Sequence, residues 1–178
     1  MDNSVLLEPA FALKHYTQQR PRDAAAAHVY ALICERLGGT DEAVASLERA
    51  AAILEEEFEA TESTEIEKRY SMALCNLGRV RLATGGYQGS LEAFTNCWEL
   101  DPPGASLRVQ CKLGQGLAYF WLGQVDECFE AFLVSLDEAE NSGEAGLKDE
   151  VVVLLSRTLW GLGTEDAKET AKTHLLES

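Results

Sequence analysis

Three histidines and five cysteines are the side chains of this 178-residue chain best suited to nucleophilic or metal chemistry. A metal site needs ligands that converge on one point. In sequence that shows as closely spaced cysteines or as histidines one helical turn apart. His15, His28 and His174 are widely separated, and Cys34, Cys75, Cys97, Cys111 and Cys128 form no CxxC pair. A zinc site is therefore disfavoured. So is a secreted disulfide framework, because the cysteine count is odd. A hydrolytic serine would sit in a GxSxG turn and a zinc protease would carry HExxH, and neither motif occurs. Gly38-Gly39 and Gly85-Gly86 follow helical patterns, so they read as helix terminators and not as phosphate cradles, which need a preceding strand. The residue types point away from catalysis, and no cofactor or metal is expected. Most of the cysteines read as small reduced packing residues on helical faces.

Recognition is the chemistry that remains, and charge restricts the partner. Thirty acidic residues against 15 basic ones give a net charge of -15, with no Lys/Arg stripe to offset it. Such a surface repels a phosphate backbone and an anionic bilayer, so direct nucleic-acid or membrane binding is disfavoured. The acidic run from Glu55 to Glu67 either receives a basic partner or, as is commoner, is a solvated helix face. No apolar stretch reaches the length of a membrane span, and Met1–Phe11 lacks the pattern of a signal peptide. A soluble, cytoplasmic protein is the expectation.

The elements that must position any binding residues are helices. Hydrophobic residues make up 46% of the chain, enough for a core, and strong helix formers dominate with only four prolines. One local design recurs. Gly38, Gly85, Gly123 and Gly163 each end an apolar helical pattern, at spacings of 47, 38 and 40 residues. Glycine suits a helix stop because it enters the left-handed region without a side-chain clash. A small residue follows each at Ala43, Ser90, Cys128 and Ala167, where a second helix crosses the first closely. One turn further, Leu47, Phe94 and Phe132 supply bulk on the same face. Neither helix can bury its stripe alone, whereas stacked pairs bury it continuously.

This design resembles the tetratricopeptide repeat, whose usual period is 34 residues. The unit beginning at Ser71 places Gly78, Gly85, Tyr87, Phe94 and Pro102 in register. Ser90 stands there for the usual alanine and Arg81 for an aromatic residue. Another unit begins at Val109 with Gly116, Tyr119, Gly123 and Phe132, and an earlier one near Ala24 with Ala31, Gly38, Ala43, Leu47 and Ala50. The resemblance implies an all-α solenoid of antiparallel helix pairs over residues 1–178, a single array. A half-repeat at 8–20 would precede hairpins at about 23–60, 64–101, 106–140 and 148–177. The excess over 34 residues falls in two lengthened helices near 41–60 and 64–84. Thr64 and Glu67 suggest a capping box, Ser106 a cap after the Pro102-Pro103-Gly104 turn, and 141–147 a longer loop. Both ends resemble interior ones, as if the chain were an excerpt from a longer array.

The family's groove positions, carried onto this sequence, give a candidate partner-binding face. They fall on His28, Leu32, Glu35 and Arg36, then on Met72, Cys75 and Arg79, with Asn76 beside them. They continue through Gln110, Leu113, Leu117, Phe120 and Trp121 to Arg157 and Trp160. This mixed surface suits an extended or helical segment of a protein, with the aromatics as anchors. Trp121 is either such an anchor or a packing residue, and Trp160 reads as a seal on the last pair. The set of lysines and asparagines that clamps chaperone tails in one subclass survives only as Asn76, so that ligand is disfavoured.

Three stretches are more specific. Residues 24–38, 76–85 and 158–172 resemble the large tetratricopeptide-repeat scaffold of fungal Ski (superkiller) complexes. That scaffold family holds an RNA helicase together with WD-repeat propeller subunits and supports 3′-to-5′ messenger-RNA decay by the cytoplasmic exosome. The resemblance implies a non-catalytic scaffold segment with those protein partners. A generic repeat adaptor for another peptide or protein, and a non-catalytic region of a larger enzyme, are the alternatives.

Overall fold

A computed structural model describes residues 3–163 together with Glu169 and Thr173, and every described element is helical. After a short 3₁₀ turn at Asn3–Leu6 come α1 (Leu7–Gln19), α2 (Ala24–Arg36), α3 (Thr40–Thr61), α4 (Thr64–Ala83) and α5 (Tyr87–Glu99). They are followed by α6 (Ala105–Leu122), α7 (Val125–Ser142) and α8 (Ala145–Leu162). The chain divides into two compact units between Pro102 and Pro103. The second helix expected after Gly163, with Ala167 and His174, lies outside the described residues.

In the first unit, α1 to α5 pack in sequence, each against the next along α1–α4 and then α4 on α5. The turn after α2 shows how the hairpins are made. Gly38 adopts φ 82°, and the Gly39 N–H reaches back to the Cys34 carbonyl at 2.8 Å, closing the helix end. Ala43 and Leu47 on α3 then meet Tyr30, Ala31 and Cys34 on α2, and the same core continues to Leu77, Val80 and Ala93. At the α4–α5 crossing the helices touch at Gly78, where an added Cβ would lie 2.9 Å from the Phe94 ring. Ser90, standing for the usual alanine, is buried there and donates its hydroxyl to the Gly78 carbonyl at 2.8 Å. Arg81 fills the place of the missing aromatic by donating to the Gly89 carbonyl at 2.9 Å and pairing with Glu48 at 2.6 Å.

The second unit repeats the pattern. Val109, Leu113, Cys128, Phe132, Val151, Leu155 and Leu159 form one core across α6, α7 and α8. Gly116 is its counterpart of Gly78, since a Cβ there would come within 3.0 Å of the Phe132 ring. The Ser71 and Val109 registers have a further shared mark. The Ser71 carbonyl accepts from Cys97 Sγ and the Val109 carbonyl accepts from Ser135 Oγ, both at 3.1 Å and both 26 residues apart.

Three sequence-based details differ. α4 is capped by Ser63 and not by a Thr64 box, for Thr64 is already helical and no side-chain cap bond forms. The left-handed Glu62 turns the chain in two residues and brings the helix start forward. Gly104, at φ 92°, likewise starts α6 one residue early, which leaves Ser106 inside the helix accepting from Gln110 Nε2 at 3.3 Å. The 141–147 loop shrinks to Gly143 and Glu144, because α7 runs to Ser142 and α8 starts at Ala145. Gly143 supplies the left-handed turn that permits so short a link.

Candidate protein-binding site

Helices α2 and α4 bring one half of the expected face together. The Asp23 carboxylate accepts from the Ala26 N–H at 2.9 Å and so fixes the start of α2. Further along, the side chains of α2 meet those of α4. Glu35 and Arg79 form a two-pronged ion pair, with one prong Arg79 Nη2 to Glu35 Oε2 at 2.6 Å. Arg79 Nη2 also reaches Asn76 Oδ1 at 3.5 Å, and Asn76 Nδ2 lies 2.9 Å from His28 Nε2. A polar chain Glu35–Arg79–Asn76–His28 therefore ties the two helices across this face. Burial, with the nearby Arg69 charge second, holds His28 below its ordinary pKa of 6.5. The imidazole is neutral at pH 7, its Nε2 accepting from Asn76.

That shift has a consequence for stability. The unfolded chain takes up a proton at His28 near pH 6.5, whereas the folded chain resists it. The stability contributed by the neutral ring is therefore present above pH 6.5 and lost as pH falls from there toward the folded pKa. Thermal melts at pH 7.5 and 5.5 should show a larger drop for the parent chain than for His28→Gln. Equal drops would exclude this role for His28.

Beside the polar chain lies an apolar recess. Ala24, Ala25, His28, Val29, Leu32, Leu54, Arg69, Met72 and Asn76 line an open cavity of about 280 Å³. Val29 and Met72 keep much of their surface exposed beside it. Val29 and Arg69 fall outside the family's groove positions, and the repeat register alone does not select them. The one signal in sequence is a valine on α2 beside His28 and three residues before Leu32. Arg36 is exposed at the end of α2. Cys75, by contrast, is buried at 6% exposure and supports this face from beneath, so its placement on the binding surface is corrected.

In the second unit, α6 and α8 present the other candidates. Trp121 and Trp160 are 58% and 55% exposed, and the helix that would complete the last pair, on which the expected sealing role of Trp160 depends, lies outside the described residues. Phe120 meets the Trp121 ring edge-on, centroids 5.4 Å apart, and half-buried Phe120 also lies under Gly161. Gln110 and Arg157 are exposed and Leu117 half-buried. Leu113 is buried at 4% in the α6–α7–α8 core and, like Cys75, does not reach the surface. The reason is the same in both: helical spacing defines a face about 100° wide, and only packing decides which edge of it is covered.

All five cysteines are buried, and burial raises the Cys34 thiol and pushes Cys128 up to about 11, away from the thiolate form. Among the described residues no helix is long and apolar enough to cross a membrane.

No protein-family model matches the chain. Over 94% of its length it is 33% identical to superkiller protein 3 of Schizosaccharomyces pombe. Over 97% it is 24% identical to superkiller protein 3 of Saccharomyces cerevisiae. It spans about 12% of the length of each of these curated relatives. The crystal structure of MamA superposes with a TM-score of 0.69 at 15% identity, covering 94% of this chain and 85% of that one, a likeness of fold. Taken with the repeated glycine-ended hairpins, these similarities give the chain an all-α fold of the tetratricopeptide-repeat type and a resemblance to a stretch of superkiller protein 3.

Proposed function

We propose that this chain is a non-catalytic scaffold segment of a Ski-type assembly that serves cytoplasmic 3′-to-5′ messenger-RNA decay. The coarser part, a scaffolding and protein-interaction role, has the support of both the repeat fold and the superkiller relatives. One observation carries the finer reading. The similarity to superkiller protein 3, at 33% identity, extends over 94% of the chain. The scaffold's partners would be an RNA helicase and WD-repeat propeller subunits, held by the α2–α4 and α6–α8 faces through Met72, Asn76, Arg79, Trp121 and Trp160. An acidic chain suits this division of labour, because the helicase would handle the RNA and this segment would touch protein.

The test is affinity purification of the parent protein that carries this segment, followed by identification of what co-purifies. Recovery of a helicase with propeller subunits supports the assembly. A set of unrelated partners, with neither of those, would replace it by a general repeat adaptor. Partner contact through the proposed faces is checked by Trp121→Ala with Trp160→Ala. Exposed aromatic anchors cost about 2 kcal/mol or more each when they sit at the centre of an interface. The doubly substituted segment should therefore lose partner at least tenfold while melting like the parent chain.

A further inference from the structure

We propose that the cavity between α2 and α4 is a pocket for a bulky apolar side chain accompanied by a carboxylate, presented by a segment of a partner protein. The inference rests on the protein-interaction reading above and specifies the chemistry that one part of the surface selects. The cavity of about 280 Å³ has walls supplied largely by aliphatic and methyl groups, Val29, Leu32, Leu54 and Met72 among them. Burying a side chain there removes apolar surface from water on both partners. Val29 and Met72, 49% and 43% exposed, are the surfaces that gain cover.

Charge selects the rest of the ligand. His28 is held neutral at pH 7, so Arg69 is the single formal charge among the nine residues around the cavity. Arg22, Arg79, Arg81 and Arg108 each pair with a glutamate. Arg69 makes no hydrogen bond or ion pair among the described residues, although the chain has twice as many acidic as basic side chains. It also borders a second recess with Arg20, Arg22, Asp23 and Glu57. Most of those neighbours are engaged elsewhere. Arg22 pairs with Glu56, Arg20 lies over the Tyr16 ring, and Asp23 caps α2. Glu57 faces that recess and is not part of the cavity wall. A carboxylate arriving with the apolar group would find the Arg69 guanidinium at the edge of the cavity, where a two-pronged contact is available. With Nε2 engaged by Asn76, the neutral His28 ring carries its proton on Nδ1. A lysine or arginine in the ligand would meet Arg69 instead and be repelled.

The test uses small probes with the ¹⁵N-labelled 178-residue chain: 4-phenylbutyrate, the uncharged 4-phenylbutanamide, and acetate. 4-Phenylbutyrate should shift backbone amides within 24–32 and 69–76 and bind about fivefold tighter than the amide, the scale of a partly exposed ion pair. Acetate should produce no comparable shifts. Arg69→Gln should bring acid and amide to the same affinity. Equal binding of acid and amide to the parent chain overturns the carboxylate preference, and shifts located elsewhere overturn the pocket. If Arg69→Gln loses the parent's spectral dispersion, the salt series decides. The acid's advantage must then shrink between 20 and 500 mM NaCl, and an unchanged advantage overturns the role of Arg69. These outcomes do not depend on which proteins co-purify, so failure of the Ski-type assembly and failure of the pocket are separate results.

Discussion

Phe132→Ala is expected to lower stability by about 3–5 kcal/mol, the range for removing a fully buried phenyl ring. Phe132 is 0% exposed and joins Val109, Leu113, Cys128, Val151 and Leu155 in the core of the second unit. Its ring fills the space left open by Gly116, so truncation leaves a gap that backbone on one side cannot close. Urea unfolding followed by circular dichroism measures the effect. The unfolding midpoint attributable to α6–α8 should fall, with a thermal shift on the order of 10 °C. A loss under about 1 kcal/mol would mean that the α6–α7 crossing repacks freely, against the close contact described for Gly116.

The second large effect is at Gly78. Gly78→Val should destabilise by about 3 kcal/mol, at the upper end of the usual cost of overpacking a core. The Cβ alone would stand 2.9 Å from the Cδ2 and Cε2 atoms of Phe94, a buried ring that cannot swing into solvent. The backbone cannot retreat easily either, because Ser90 ties the Gly78 carbonyl to α5 at 2.8 Å. Gly78→Ala is the informative partner variant. A helix-interior alanine is worth about 1 kcal/mol more than glycine, so a net loss there shows that steric crowding outweighs helix propensity. Combining Gly78→Ala with Phe94→Leu completes a double-mutant cycle. The pair should cost less than the sum of the two singles by at least about 0.5 kcal/mol, since a smaller side chain makes room for the methyl group. Strict additivity would show that the two residues do not share the crossing.

The pairing of a small residue on one helix with a large one on the next is legible in the sequence. Gly78 with Phe94 and Gly116 with Phe132 stand in the repeat register, and the fold places each pair in contact. The lengthened pair expected near 41–60 and 64–84 corresponds to α3 at Thr40–Thr61 and α4 at Thr64–Ala83. Helix ends are less legible. Glu62, Gly104 and Gly143 set three of them, because a left-handed residue can turn the chain in two positions where polar composition suggests a longer loop.

The candidate binding face divides in the same way. His28, Leu32, Met72 and Arg79 follow from repeat positions, with Asn76 beside them. That His28 meets Asn76 across 48 residues and Glu35 meets Arg79 across 44 does not. Cys75 and Leu113 lie on the expected stripe and are nevertheless buried, while Trp121 and Trp160 are exposed. By itself the sequence determined what is local and periodic: helical repeats, glycine stops, the alternation of small and large residues, an acidic surface, and a resemblance to superkiller scaffolds. Only the tertiary structure decided which edge of each stripe is covered, which charges find counter-ions, and that Arg69 borders an apolar cavity with no ion pair among the described residues. Periodicity follows from hydrogen bonds four residues apart, whereas burial and charge pairing follow from helices brought together across tens of residues.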